Sequence, residues 1–229
     1  MGNLTIYHGS SGIIEKPVYG KGKSYNDYGR GFYCTESLEL AKEWACTEGI
    51  DGFANQYEVE PDGLQILNLV SGDYHILHWL TLLVTYRKFR LSTPLMKEGV
   101  RWLQDNFSVD LSSYDAVIGY RADDSYFSFA RAFVNNEISL EQLQFAMKLG
   151  KLGEQFVLKS PKAFDNVQFI TAMPAENVIY YTKRKSRDEQ ARAVYFAELE
   201  KDAVGGIYIR DLIKEGGTSN AASIRSILS

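Results

Sequence analysis

The spacing of apolar and polar positions changes several times along the chain. LTIYHG at 4–9 alternates and ends in small residues, which predicts a strand running into a turn. Residues 15–30, rich in Gly, Lys, Tyr and Asn, carry no period and read as a loop. GFYCT at 31–35 is a short strand, and alternation sends Phe32 and Tyr33 to opposite faces. Thr35 is the expected cap of a helix over SLELAKEWACTEG, which Gly49 ends. FANQYEVEP alternates again and closes on Pro61-Asp62-Gly63.

Two helices are predicted next. One covers about 73–89, and the other runs from Thr93 as cap and Pro94 at the first helical position to about Asn106. The apolar run ILHWLTLLV at 76–84 is too short for a membrane span and carries a His. DAVIGY at 115–120 has the length of a buried strand. DDSYFSFARAFVN is helical, with Asp123 or Asp124 at its positive end, and SLEQLQFAMKL opens with the capping pair Ser139 and Gln142. EQFVLKS and NVIYYTK read as strands, and a charged helix over about 187–202 and a short helical end follow. The fold class is therefore α+β, without βαβαβ alternation. A single domain over 1–229 is expected, with a helical insertion at about 70–150 and a helical extension at about 186–229.

Composition narrows the function classes. A chain of 229 residues that is 45% hydrophobic can bury one sizeable core and has a soluble, globular profile. The net charge of −4 argues against a general nucleic-acid coat, which works by neutralising phosphates, and leaves room only for a local basic groove. The densest basic run, TKRKSR at 182–187, reads as a solvated strand end or loop, with contact to an anionic partner as the alternative. Cys34 and Cys46 make no disulfide scaffold and have no metal-like spacing with His8, His75 and His78, so a reduced cytoplasm is the expected compartment. The N-terminus shows no secretory leader, and Ile6 stands where myristoylation wants Ser or Thr.

Two short motifs carry candidate chemistry. In YHGS, the His8 imidazole can hydrogen-bond a sugar hydroxyl, and Gly9 allows close approach to the backbone, whose N–H and C=O can hold a carboxamide. The bland alternative is a structural histidine before a turn. In GRGFYCT two glycines free the backbone ahead of Tyr33, and Trp44 follows eleven residues later on the next helix. Tyr33 and Trp44 can bracket a flat ring, or Trp44 can simply fill the core.

Taken together, a strand ending His-Gly-Ser, a Gly-x-Gly-Phe-Tyr strand, a following helix aromatic and a late strand opening with an acid or amide resemble the ADP-ribosyltransferase superfamily. The resemblance is to its His-Tyr-Glu form, which includes the poly(ADP-ribose) polymerases and diphtheria-type toxins. YDAVIGYRADDSYF and LGEQFVLKS bring the chain closest to a bacterial family of unknown function grouped with these transferases, over about residues 4–183. The resemblance implies split, mixed β-sheets and NAD as the bound dinucleotide, with no metal, because the leaving group is already a cationic pyridinium. It assigns the adenosine ribose to His8, the nicotinamide amide to Gly9 and the two faces of nicotinamide to Tyr33 and Trp44. Ser10 matches the serine that commonly follows His-Gly.

The family's catalytic Glu opens the late strand. Here that strand begins Glu154-Gln155, and matching the apolar run that follows puts Gln155 in the Glu position. Either Gln155 or Glu154 is the third catalytic residue, with Asp123 or Asp124 as another source of charge. Arg121 and Arg30, with Lys21 and Lys23, are candidates for the pyrophosphate. The expected activity is transfer of ADP-ribose from NAD to a protein or nucleic-acid acceptor, with release of nicotinamide. The resemblance also implies a small antitoxin partner and a role as the toxin of a toxin–antitoxin or phage-defence pair, with no membrane partner. The alternatives are a non-catalytic module that binds NAD, ADP-ribose or a partner on a degenerate transferase fold, and, without a positive sign, a glycosidase pairing Asp123 with Glu154.

Overall fold

The computed structural model describes residues 2–71, 73–122, 124–148, 153–199 and 205–216. Alternating segments far apart along the chain pair in the first sheet. Strands β1 (Leu4–Ser10), β3 (Gly52–Val59) and β7 (Val167–Ala175) form an antiparallel sheet with β3 in the middle. A second sheet runs in the order β2 (Phe32–Cys34), β6 (Glu154–Leu158), β5 (Ala116–Tyr120), β4 (Ile66–Asn68). Its pairs are antiparallel except β4 with β5, which are parallel. A parallel pair needs a crossover, and helices α2 (Ile76–Tyr86) and α3 (Pro94–Phe107) supply it. Helices α4 (Asp124–Val134) and α5 (Leu140–Lys148) lie between β5 and β6. The fold is α+β, with a helical segment between its strands.

Parity along the central strands of the second sheet separates two cores. Ala116, Phe156 and Leu158 face the first sheet and pack with Ile6, Tyr57 and Val59. Their neighbours Val117 and Val157 point the other way, into a larger core with Trp79, Leu80 and Leu83 of α2, Leu103 of α3 and Phe129 and Phe133 of α4. The two sheets meet at an isolated bridge between Tyr7 and Thr35, whose N–H groups each donate to the other's carbonyl.

The caps show why several helices start where they do. Thr93 accepts the Met96 N–H ahead of Pro94 at the first helical position, and Ser139 and Gln142 exchange the reciprocal bonds of a capping box, both as the sequence predicts. Helix α1 (Leu38–Ala45) is capped two residues later than expected. Ser37 is its cap, accepting from Leu40 N, while Thr35 belongs to the bridge between sheets. Gly49, at φ 71°, takes the turn beyond that helix and does not end it.

The C-terminal part departs most from expectation. NVIYYTK is not a strand: it opens α7 (Asn177–Leu199), which also contains the basic run TKRKSR, expected to be a strand end or loop. The strand expected there lies earlier, as β7, and β4 and the short helix α6 (Pro161–Asp165) were likewise not anticipated. α7 starts at Asn177 and not near the expected 187; its apolar residues do not repeat cleanly, and Val178, Ile179, Val194 and Phe196 are exposed. Helix α8 (Ile209–Gly216) follows and caps the larger core with Ile209 and Leu212. The extension predicted beyond 216 lies outside the described residues. Among the described residues, no helix is long and apolar enough to cross a membrane.

Candidate active site

A cleft of about 600 Å³ opens where β1 and β2 converge, with the loop between those strands forming one wall. This lies within the roughly 300–1,000 Å³ of pockets that take small ligands. His8, Gly9, Lys21, Lys23, Tyr33, Trp44, Arg121 and Gln155 line it, so eight predicted site residues are brought together from six separate segments of the chain.

His8 comes from β1. Its Nδ1 lies 2.7 Å from the Tyr33 carbonyl, which can only accept, so Nδ1 carries the proton and Nε2 is left as an acceptor. The ring stacks on Phe32 at 4.2 Å. Burial lowers the His8 pKa below its ordinary value and so favours the neutral imidazole, while the hydrogen bond to the Tyr33 carbonyl pulls the other way. Tyr33 is held by its hydroxyl, which donates to the Gly29 carbonyl at 2.6 Å and accepts the Tyr28 N–H at 3.0 Å. That clasp closes the loop over Gly29, whose φ of 72° is open to glycine at little cost.

Gly9 has a packing reason beside the one the sequence suggests. A Cβ there would stand 2.1 Å from the Ala41 carbonyl, so the missing side chain lets α1 lie directly on β1. This close packing places Trp44, near the end of α1, against the cleft. The Arg121 guanidinium lies 4.2 Å from the centre of the Trp44 ring.

Three predicted residues fall elsewhere. Ser10 turns away to accept from Asn55 Nδ2 at 2.9 Å and donate to the Gly12 carbonyl. Arg30 is exposed and does not line the cleft; its carbonyl accepts from Lys159. Glu154, one residue before Gln155, does not line the cleft; it lines a second cavity of about 380 Å³ with Glu36 and Ser37, which Gln155 also borders. Asp123 lies outside the described residues, as does the side chain of Asp124. The bracketing of one ring by Tyr33 and Trp44 is not set up by a direct stack of the two. Each lines the cleft, and Arg121 covers a face of Trp44.

Sequence reasoning missed several contributors. Asp27 is 5% exposed and lines the cleft. It accepts from Arg87 Nη1 at 3.0 Å, from the Ala122 N–H at 2.9 Å and from Gln155 Nε2 at 2.8 Å. Burial raises its pKa, and the Ala122 N–H, the Gln155 amide and the Arg87 and Arg121 guanidiniums oppose that shift. In YNDYGRG this residue looks like any solvated turn acid. Asn55, wholly buried on β3, donates to the His8 carbonyl and accepts from Ile14 N, tying the end of β1 to the loop. Lys159 spans the carbonyls of Tyr28 and Arg30, and burial pushes its pKa down to about 8.

The charges of the lining run against those of the chain. Lys16, Lys21, Lys23, Arg87, Arg121 and Arg184 face the cleft, and Asp27 is the acid among them. A chain of net charge −4 has thus concentrated cations in one concavity, an arrangement suited to a ligand with several negative charges. Among the described residues no group of His, Cys, Asp and Glu could hold a metal ion.

No curated protein and no solved structure matches the chain. One family model does, that of the family described as "Protein of unknown function (DUF3990)", over residues 4–169, from the start of β1 into β7. On that match, which leaves α7 and α8 outside it, the chain belongs to this family of unknown function.

Proposed function

We propose that the chain is an NAD-dependent ADP-ribosyltransferase. The observation that carries the reading is the convergence of His8, Gly9, Tyr33, Trp44 and Gln155 on one cationic cleft, in a chain whose motifs resemble that superfamily. The fixed tautomer of His8 leaves Nε2 to accept from a ribose hydroxyl. Tyr33, immobilised by its hydroxyl, gives a flat wall for a pyridine ring. Lys16, Lys21, Lys23 and Arg184 line the cleft and supply positive charge suited to a pyrophosphate.

In the reaction proposed, NAD is the substrate. The bond between the ribose anomeric carbon and the pyridinium nitrogen breaks, and its electron pair returns to the ring, so that nicotinamide leaves neutral. A lone pair of the acceptor forms the new bond to that carbon, and the acceptor's proton passes to solvent. Positive charge develops on the ribose as the first bond lengthens, and groups that stabilise it there act on the rate more than on binding.

A second reading, an NAD- or ADP-ribose-binding module without chemistry, is favoured by the amide at position 155. Nicotinamide release from NAD separates the two. The transferase reading expects slow release by the wild-type protein, reduced by about a hundredfold or more in His8→Ala and Tyr33→Ala. Tight NAD binding without release supports the module, and neither binding nor release overturns both.

A further inference from the structure

Gln155 and Asp27 meet at the floor of the cleft, each more than nine-tenths buried. The orientation of the carboxamide is fixed by chemistry. Its Nε2 lies 2.8 Å from Asp27 Oδ2 and 3.5 Å from the Tyr120 carbonyl. With Asp27 ionised, reversal would set the amide oxygen against two oxygens that only accept, so nitrogen takes this side. The amide oxygen then points away from Asp27, and among the described residues no donor is recorded on it.

Asp27 is as firmly set as the amide. Its three donors come from different places: Arg87 at the end of α2, Ala122 just after β5, and Gln155 on β6. All three offer N–H, which is what an ionised carboxylate accepts. Arg87 is in turn steadied by the Phe127 ring, 4.8 Å from its guanidinium carbon. No part of this cluster is needed to close the sheet, since β2, β5 and β6 already pair through their backbones.

We propose that Asp27 is a positioning residue of the cleft: it locks Gln155 with the amide oxygen turned to the ligand, as an acceptor for a hydroxyl, and sets a buried negative charge behind that oxygen. A carboxylate bonded to the N–H side of an amide polarises it, making the far oxygen a stronger acceptor. The pair Asp27–Gln155 then divides between two residues the hydrogen bond and the charge that one carboxylate would supply. For catalysis this rests on the transferase reading, and the ligand group concerned is a ribose hydroxyl. The locking itself stands apart from that reading.

The test is Asp27→Asn, with Asp27→Glu as the charge-retaining variant and Asp165→Asn as an exposed control. Nicotinamide release from NAD is measured as kcat and KM, alongside the NMR signals of the Gln155 side-chain amide, assigned by their loss in Gln155→Leu. The expected result is a fall in kcat of about tenfold or more in Asp27→Asn with KM changed less than about threefold, and partial recovery in Asp27→Glu. The Gln155 amide signals move in Asp27→Asn and stay in place in Asp165→Asn. Unmoved amide signals, or a loss of rate that only follows a fall in Tm, overturn the proposal. Should Asp27→Asn not fold, Asp27→Asn with Arg87→Gln leaves no uncompensated charge and is read in the same way. If the wild type releases no nicotinamide, the transferase reading falls. The amide signals alone then decide the locking, moved signals sustaining it and unmoved ones sinking it.

Discussion

At position 155 the obvious repair, Gln155→Glu, would restore the residue that the resemblance asks for. The structure gives it a cost, because the new carboxylate would sit against Asp27, where an amide nitrogen now donates at 2.8 Å. Two carboxylates in contact share a proton, so their folded pKa rises above that of the unfolded chain. The folded form then holds more protons, and its stability is present at low pH and lost as pH rises through the folded pKa. Thermal unfolding should show Gln155→Glu close to wild type near pH 4 and about 1–3 kcal/mol less stable near pH 8; a constant difference across that range would contradict the contact. This also marks how far the site could be read from sequence. Alternation along EQFV sends Gln155 and Glu154 to opposite faces, and that parity alone separates the cleft residue from its neighbour. Asp27 and Arg87 could not be found in this way, because their partnership depends on a loop and a helix end brought together by folding. Ser10 and Arg30 fit a motif by position, yet their side chains are directed by Asn55 and by solvent.

Among the elements, α7 reaches the cleft directly with Arg184 and is also tied to it through α1. Arg187 on α7 bonds Glu43 on α1 at 2.6 Å, and the Glu43 side chain is only 4% exposed. Lys183 adds an exposed ion pair with Glu39, worth little by comparison. Arg187→Ala would strand a buried carboxylate and should cost about 3 kcal/mol in chemical denaturation, with a good part recovered when Glu43→Gln is added. An effect below about 0.5 kcal/mol would mean that α7 is held by other contacts. The elements with a clean period or an unambiguous cap were legible beforehand: β1, β3, α3 behind Thr93 and Pro94, and α5 behind Ser139. NVIYYTK reads as a strand because its β-branched and aromatic residues carry strand propensity. In the folded chain that segment is helical from Asn177, and Tyr180 and Tyr181 pack beside Ala45 and Cys46.

For the whole molecule, charge and protonation make two global predictions. Cations gathered in the cleft of an acidic protein should make binding of an anionic probe such as ADP-ribose fall about threefold or more between about 50 and 300 mM salt, and Lys21→Glu should flatten that dependence. His75 caps α2, its Nδ1 accepting from Leu77 N, and burial with nearby His78 pushes its pKa down to about 4. The unfolded chain takes up this proton first, so stability falls as pH drops from 6.5 towards about 4. Solvent screening at this partly exposed site limits the loss to about 1–2 kcal/mol, and His75→Gln should flatten Tm against pH over that window. The order of strands in the second sheet reaches further. Tyr33 pairs with Val157, and Gln155 lies on the next residue but one of the same strand, so the two halves of the cleft come from opposite ends of the matched region. Closing a loop of that length is slow and comes late, after the helices between have formed their local contacts. A chain growing from its N-terminus therefore carries His8, Tyr33 and Trp44 long before it has a floor on which to use them. Whatever the cleft does, it is withheld until β6 has been made and has found its place beside β2.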